Sequence, residues 1–444
     1  MPKQTPTSPA SPHSPKPALP KWAEVRLAGA LQSVRGEARY RQFFEIERLA
    51  GKHPHALWHS EDGVHEIVIW CSNDYLGMGQ SPATTQAMAR AAETEGAGAG
   101  GTRNISGTSH ALVELEEELA NLHGKQRALL FSSGYVANEA SLTTLIELLH
   151  SQNASHNNDS NGVIVYSDAD NHASLISGIG NGIRRANASR PNPPARKRIF
   201  HHNDSQHLRG LLSDSPKSAA KLIVFESVYS MDGSIAPLRD IAEVAQEYDA
   251  MCYCDEVHAV GLYGETGGGV ASQEGVADAI SVIQGTLGKA FGVMGGYIAG
   301  ADVICDAIRS FGAGFIFTTA LPPPLLRGAL ASIRHLKHSQ KERTALHASA
   351  KRVKAKLKAA GFDILPKESY GDSHIVPLMV GDAKLCQAIS QRLLTKHRIY
   401  IQPINYPTVP RGGERLRITP GPAHSEAMAD ALVAALTECF AALK

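Results

Sequence analysis

Across the 444 residues no apolar run approaches the roughly 20 residues a bilayer-spanning helix needs, so a transmembrane role is not expected. An excess of one charge is also missing. With 44 Lys and Arg against 43 Asp and Glu, the formal net charge of +1 gives no electrostatic reason to expect a nucleic-acid or membrane-surface partner. Cysteines are few: Cys71, Cys252, Cys254, Cys305, Cys386 and Cys439, with no C-x-x-C pair. They read as reduced, mostly buried thiols of an intracellular protein. Cys252 and Cys254 are two apart in an apolar run and share one face, which favours core packing over a metal. His201-His202 has no carboxylate or further histidine at ligand spacing and reads as a surface pair, so no metal is expected. No acidic residue precedes Glu24 and no arginine precedes Arg26, while Pro, Ser and Thr crowd residues 1–21. That segment reads as a disordered tail. Its prolines would break the amphipathic helix of an organelle presequence, so a bacterial-type cytoplasmic location is expected over a mitochondrial matrix.

What is present is an alternation of short apolar runs and helical stretches. Ala128–Ser132, Val163–Ser167, Leu222–Glu226, Met251–Cys254 and Ser281–Gln284 are near-continuous apolar runs, as a mostly parallel sheet buried on both faces requires. Leu112, Leu115, Leu119 and Leu122 recur at helical spacing before Gly124. Ser151–Asn161 and Ala186–Ala195 read as surface insertions. The expected division is a tail (1–21), an N-terminal arm (22–72), a large α/β domain (73–321) and a smaller C-terminal domain (322–444). Each apolar run gives way to polar or Gly-rich residues at its C-terminal end. Ligands of open α/β sheets bind at those ends, so these residues converge on one site.

Lys289 lies in Gln284–Gly292, bordered by Gly285, Gly288 and Gly292. A lone lysine is ordinarily a solvated surface charge. Apolar, glycine-bordered surroundings instead depress the amine pKa and allow a Schiff base. Asp255 ends an apolar strand, where an ionised carboxylate is costly without a cation. The pyridinium nitrogen of pyridoxal phosphate would be such a cation; a helix cap is an equal alternative on this residue alone. His258 could bond the cofactor's phenolic oxygen, or be a satisfied buried imidazole. Ser133-Gly134-Tyr135 opens a helical pattern whose N-terminus suits a phosphate, and Thr286 and Ser230 can add hydroxyls. Gly96–Gly101 looks like a dinucleotide fingerprint, but no strand precedes it as that site demands. His172 could stack on the cofactor ring or merely neighbour a helix cap. Arg417 alternates inwards on Arg415–Thr419; it suits a bidentate grip on an amino-acid carboxylate, and equally an internal salt bridge.

Together with the stretches Gly98–Thr108, Asp255–Gly264 and Ile401–Arg411, these motifs resemble the α-oxoamine synthases, a group of fold-type I pyridoxal-phosphate enzymes. The resemblance runs from about Ala38 to the C-terminus. It implies an α/β fold with a large, mostly parallel, seven-stranded-type sheet and a smaller C-terminal α+β domain. It further implies decarboxylative condensation of an amino acid with an acyl-CoA, the closest likeness being to members that join glycine to succinyl-CoA and so open tetrapyrrole synthesis. Carried over by position, Lys289 resembles the Schiff-base lysine, Asp255 the pyridinium partner, His258 the phenolate contact and His172 the stacking histidine. Gly134, Tyr135, Ser230 and Thr286 resemble cofactor-binding positions, and Thr318 and Thr319 a pair reaching the phosphate of a neighbouring subunit in a homodimer. Asn73 and Arg417 resemble the holders of the glycine carboxylate; Arg41, Thr102, Asn104, Ser167, Lys197 and Thr408 match positions that receive succinyl-CoA. The alternatives are a sister synthase using another acyl-CoA (8-amino-7-oxononanoate synthase or 2-amino-3-ketobutyrate CoA ligase) and a non-catalytic regulatory homologue.

Overall fold

Apolar residues at both strand parities need two cores, and two are found. In the computed structural model, which describes residues 19–152, 162–189, 191–366, 371 and 373–443, the five apolar runs form the strands Arg127–Phe131, Val163–Asp168, Ala220–Glu226, Met251–Asp255 and Val282–Thr286. Tyr166, Ile223, Phe225, Cys252 and Cys254 point into the core on one face of their sheet; Val165, Leu222, Val224 and Tyr253 point into the core on the other. The paired cysteines are therefore packing residues, and burial pushes the Cys252 thiol up to about 12.

Two strands complete the sheet. Arg196–Phe200 is an edge strand whose Arg-Lys-Arg start hides it from an apolar search, and Gly296–Gly300 runs antiparallel between Arg127–Phe131 and Val282–Thr286. From that last strand onward the neighbours Met251–Asp255, Ala220–Glu226, Val163–Asp168 and Arg196–Phe200 are all parallel. Seven strands thus form a mostly parallel sheet, and the polar ends at Asp255, Glu226, Asp168 and Thr286 lie along one edge.

A second body is built from both ends of the chain. Val376–Met379, Arg415–Ile418 and Pro403–Ile404 form a three-stranded antiparallel sheet. It shares a core with the helices Lys341–Ala359, Ala383–His397 and Glu426–Leu443. The strands Glu45–Arg48, His55–Ser60 and Gly63–Ile69 pair in order, and Ile399–Tyr400 joins them in parallel. The helix Pro323–His338, expected to open the second domain, packs instead into the large-sheet core through Leu326, Ala329, Leu330, Ile333 and Leu336. Arg334 and Lys337 tie it to Glu118 at 3.0 and 2.5 Å.

Of the expected tail only residues 19–21 are described, and the helix Lys21–Gly36 begins at its end. The Ser151–Asn161 insertion lies outside the described residues beyond Gln152. Much of the Ala186–Ala195 segment is ordinary scaffold: the helix Ala173–Ser189 covers its start, and the Asn187 side chain makes two hydrogen bonds with the Ala195 backbone. No helix among the described residues is long and apolar enough to cross a membrane.

Candidate active site

The strand ends bring the site together. Lys289 follows the strand Val282–Thr286; the residue is half-buried but its amine is surrounded by protein. Burial, partly opposed by Asp255, brings that amine down to about 7. Its Nζ lies 2.7 Å from His258 Nε2, and the other ring nitrogen of His258 lies 2.6 Å from the Tyr75 hydroxyl. Burial pushes His258 far below the ordinary imidazole range, so the ring is neutral.

Asp255 is 2% exposed. Its carboxylate accepts from Asn138 Nδ2 at 2.7 Å and from the Val257 N–H at 2.9 Å. Asn138 is itself held by the Tyr253 hydroxyl at 3.0 Å. Among the described residues no cationic side chain hydrogen-bonds Asp255, and burial raises its pKa despite the pull of Lys289. A carboxylate held rigidly and lacking a bonded cation is a receptor for one.

Arg417 shows the converse. It is buried at 7% exposure, and its guanidinium donates to Ser230 O (2.6 Å), Asn73 Oδ1 (3.0 Å) and the Tyr75 hydroxyl (2.7 Å). No carboxylate pairs with it among the described residues, which removes the internal salt bridge as an explanation. A buried guanidinium without an anion is a carboxylate site in waiting.

The helix Gly134–Gln152 starts where the strand Arg127–Phe131 ends, with Ser133 Oγ accepting from the Val136 N–H at 3.2 Å. The backbone approach is close: a Cβ on Gly296 would lie 2.4 Å from Gly134 N, so only glycine fits there. Thr286 Oγ1 donates to Gly295 O (2.9 Å) and accepts from the Gly288 N–H (3.1 Å), shaping the turn that leads to Lys289. His172 and Tyr135 are both exposed, their rings 6.4 Å apart and edge-on. An exposed imidazole within electrostatic reach of the buried Asp255 suits a flat ring between them. The donor set as a whole fits pyridoxal phosphate: a near-neutral amine for its aldehyde, a carboxylate for its ring nitrogen, a helix start for its phosphate.

Other expected residues lie apart. Arg41 Nη2 donates to Thr408 Oγ1 at 3.3 Å, and both line a cleft of about 470 Å³ with Phe43, Asn405 and Tyr406. Thr102 caps the turn Arg103–Ser106 and bridges to Thr319, while Asn104 is exposed beside them. The Thr318 hydroxyl donates to Gly314 O at 2.7 Å. No hydrogen bond links this group to Lys289 or Arg41 among the described residues. Ser167 is buried, donating to Asp168 O and accepting from Asn171, and Lys197 is exposed on the edge strand. His202 is not a surface residue: its side chain is 18% exposed and lies between Asp168 and Asp232. Its companion His201 is exposed. Sequence reading passed over Tyr75, Asn138 and Glu226. Asn138 lies one helical turn beyond Gly134, a spacing available as a signal, whereas Tyr75 and Glu226 act through partners distant in sequence.

Fold and site define a class: pyridoxal-phosphate enzymes of fold type I, with the lysine and aspartate at the ends of adjacent strands. The family model for class I and II aminotransferases matches residues 65–436. The 5-aminolevulinate synthase of Rhizobium meliloti is 53% identical over 406 residues, spanning 91% of this chain and 94% of the relative. That of Bradyrhizobium diazoefficiens is 50% identical over 411 residues, spanning 93% and 94%. An SPT solved with PLP superposes with a TM-score of 0.81 at 29% identity, covering 94% of this chain and 98% of that one. The chain belongs to the 5-aminolevulinate synthase family.

Proposed function

We propose that this chain condenses glycine with succinyl-CoA, releasing CoA and CO2 and giving 5-aminolevulinate, with pyridoxal phosphate held at Lys289. One observation carries the reading: an amine that burial brings to about 7 lies within electrostatic reach of a buried Asp255 that has no bonded cation among the described residues. It does so in a chain about half identical, nearly end to end, to 5-aminolevulinate synthases.

Bound there, pyridoxal phosphate supplies an aldehyde for the amino group and a protonated ring that stores an electron pair. Asp255 would hold the proton on the ring nitrogen, and Asn138 with the Val257 N–H keeps the carboxylate from turning away. His258 would bond the phenolic oxygen and His172 would stack on the ring. Gly134 and Tyr135 at the helix start, with Ser230 and Thr286, receive the phosphate. Arg417 and Asn73 grip the glycine carboxylate, with Tyr75 fixing the guanidinium from behind. Lys289, as neutral amine, takes the glycine Cα proton and returns a proton to the product at the same carbon.

Arg41, bonded to Thr408 in its cleft, receives the far carboxylate of succinyl-CoA, for which a neutral acyl chain has no use. Thr102 and Asn104 act on succinyl-CoA, and Thr318 and Thr319 reach the phosphate bound by a second copy. Their support is the surface they share with Ile105 and Phe317, which are 82% and 79% exposed and would be covered in a homodimer. Lys197 completes the CoA contacts; Ser167, already engaged within the fold, has the least support. The bacterial relatives favour a cytoplasmic setting and a product that feeds tetrapyrrole synthesis.

The test is turnover of purified protein with pyridoxal phosphate, glycine and a panel of acyl-CoAs. Succinyl-CoA is expected to exceed acetyl-CoA in kcat/KM by more than about tenfold, the worth of one charged hydrogen bond; a preference for acetyl-CoA overturns the reading. In the same assay Arg41→Ala should raise the succinyl-CoA KM by about 10- to 100-fold with little change for glycine. Equal losses for both substrates would remove Arg41 from its role.

A further inference from the structure

Glu226 is a buried titratable group at the heart of the site with no part in the chemistry above. It ends the strand Ala220–Glu226 directly opposite Asp255 in the parallel register, so both side chains leave the sheet on the same face. The two are 1% and 2% exposed. Their surroundings differ. Asp255 has both oxygens engaged by N–H donors. Glu226 accepts the His172 backbone N–H on Oε1 at 2.6 Å, and its Oε2 has no hydrogen-bond partner among the described residues. No Lys, Arg or His side chain hydrogen-bonds it there either. Among the charged and titratable groups within reach, Asp255 opposes a second negative charge, as does Asp168, whose own charge is partly answered by His202 at 2.9 Å; Lys289 favours it, and the buried Cys254 thiol adds no cation. Tyr229 lies on the other side, its hydroxyl accepting from the Glu226 N–H at 3.3 Å. Two adjacent carboxylates in a dry site cannot both ionise with so little compensation.

We propose that Glu226 works as a neutral carboxylic acid, protonated on Oε2, that positions His172 through its backbone and leaves Asp255 as the only negative charge facing the ring nitrogen. The direction of its titration agrees, since burial and Asp255 together drive it well above the ordinary carboxyl range. A second anion here would overbalance the one positive charge of the ring and add to Asp255 in holding the proton on the Lys289 amine. The part played by Asp255 rests on the cofactor reading above; the protonation of Glu226 does not.

The experiment is infrared difference spectroscopy on the holoenzyme, unlabelled and with carboxyl-labelled [13C]glutamate. A protonated-carboxyl C=O band that shifts with the label at neutral pH and vanishes in Glu226→Gln is expected. Glu226→Gln, an uncharged isostere that still accepts from His172, should bind pyridoxal phosphate within about threefold of the parent. Asp255→Asn should lose more than about tenfold. If Glu226→Gln does not fold, Glu226→Asp removes the label from this position and must also remove the band. Absence of the band, or a Glu226→Gln that loses cofactor as far as Asp255→Asn does, overturns the proposal. Should the parent bind no pyridoxal phosphate, the cofactor reading fails instead, while the band in the cofactor-free protein still decides the state of Glu226.

Discussion

A lysine amine near 7 is both nucleophile and base at physiological pH, and at Lys289 burial sets that value against the pull of Asp255. Lys289→Ala should therefore reduce turnover by about 10³-fold or more, with the melting temperature of the cofactor-free protein little changed. Appreciable residual activity would displace Lys289 from the centre of the reaction. A second outcome concerns pH. The amine takes up an aldehyde only when neutral, so the rate at which cofactor-free protein captures pyridoxal phosphate should rise as pH passes about 7 and then level off. Stopped-flow absorbance measures it; a rate still climbing at the ordinary lysine pKa near 10.4 would mean the amine is not desolvated. Lys289 and Asp255 were legible because each stands where an isolated residue is physically awkward, a charge among glycines or at the end of an apolar strand; His258 was read only from its place three residues beyond Asp255. Tyr75 and Glu226 were not legible. Tyr75 matters through His258 and Arg417, which lie 183 and 342 residues away, and no local pattern reports such partners.

Between residues and fold sits the turn Tyr229–Ser234, which carries Ser230. Arg417 and Arg415 hold its carbonyls at Ser230 and Met231 from one side, at 2.6 and 3.0 Å. His202 holds it from the other, with Nε2 2.9 Å from Ser234 Oγ and 3.4 Å from Asp232, and Nδ1 2.9 Å from Asp168. Burial alone would lower the imidazole pKa, but hydrogen bonds to Asp168 and Asp232 outweigh it and raise the value to about 10. The unfolded imidazole titrates near 6.5, so this stabilisation is complete below that pH and is lost as the pH climbs to about 10. His202→Gln should cost about 3 kcal/mol at pH 6 and much less at pH 10. Denaturant unfolding at the two pH values checks it, and an equal cost at both would mean that His202 acts through shape and not charge. The surface reading of this histidine failed because its partners come from the end of another strand and from the turn Tyr229–Ser234, unseen in a search for ligand spacing.

For the whole molecule, exposed Ile105 and Phe317, on segments joined by the Thr102–Thr319 bridge, mark a surface that water should not keep. Phe317→Glu should shift the proposed homodimer towards monomer in sedimentation and reduce turnover with it, since on that proposal Thr318 and Thr319 would no longer reach a second site. A monomer of full activity would place each site within one chain. The sequence alone determined five of the large sheet's seven strands and the convergence of their polar ends. An apolar run buried on both faces can serve little else, and the ends of parallel strands are where such sheets bind ligands. Only the tertiary structure decided that Arg196–Phe200 is a strand, that Pro323–His338 belongs to the large core, and that the N-terminal strands pair with Ile399–Tyr400. It alone brought Tyr75, Asn138 and Glu226 beside Lys289 and Asp255. Each of these outcomes depends on a partner far along the chain, and local composition carries no information about which distant surface a segment will meet.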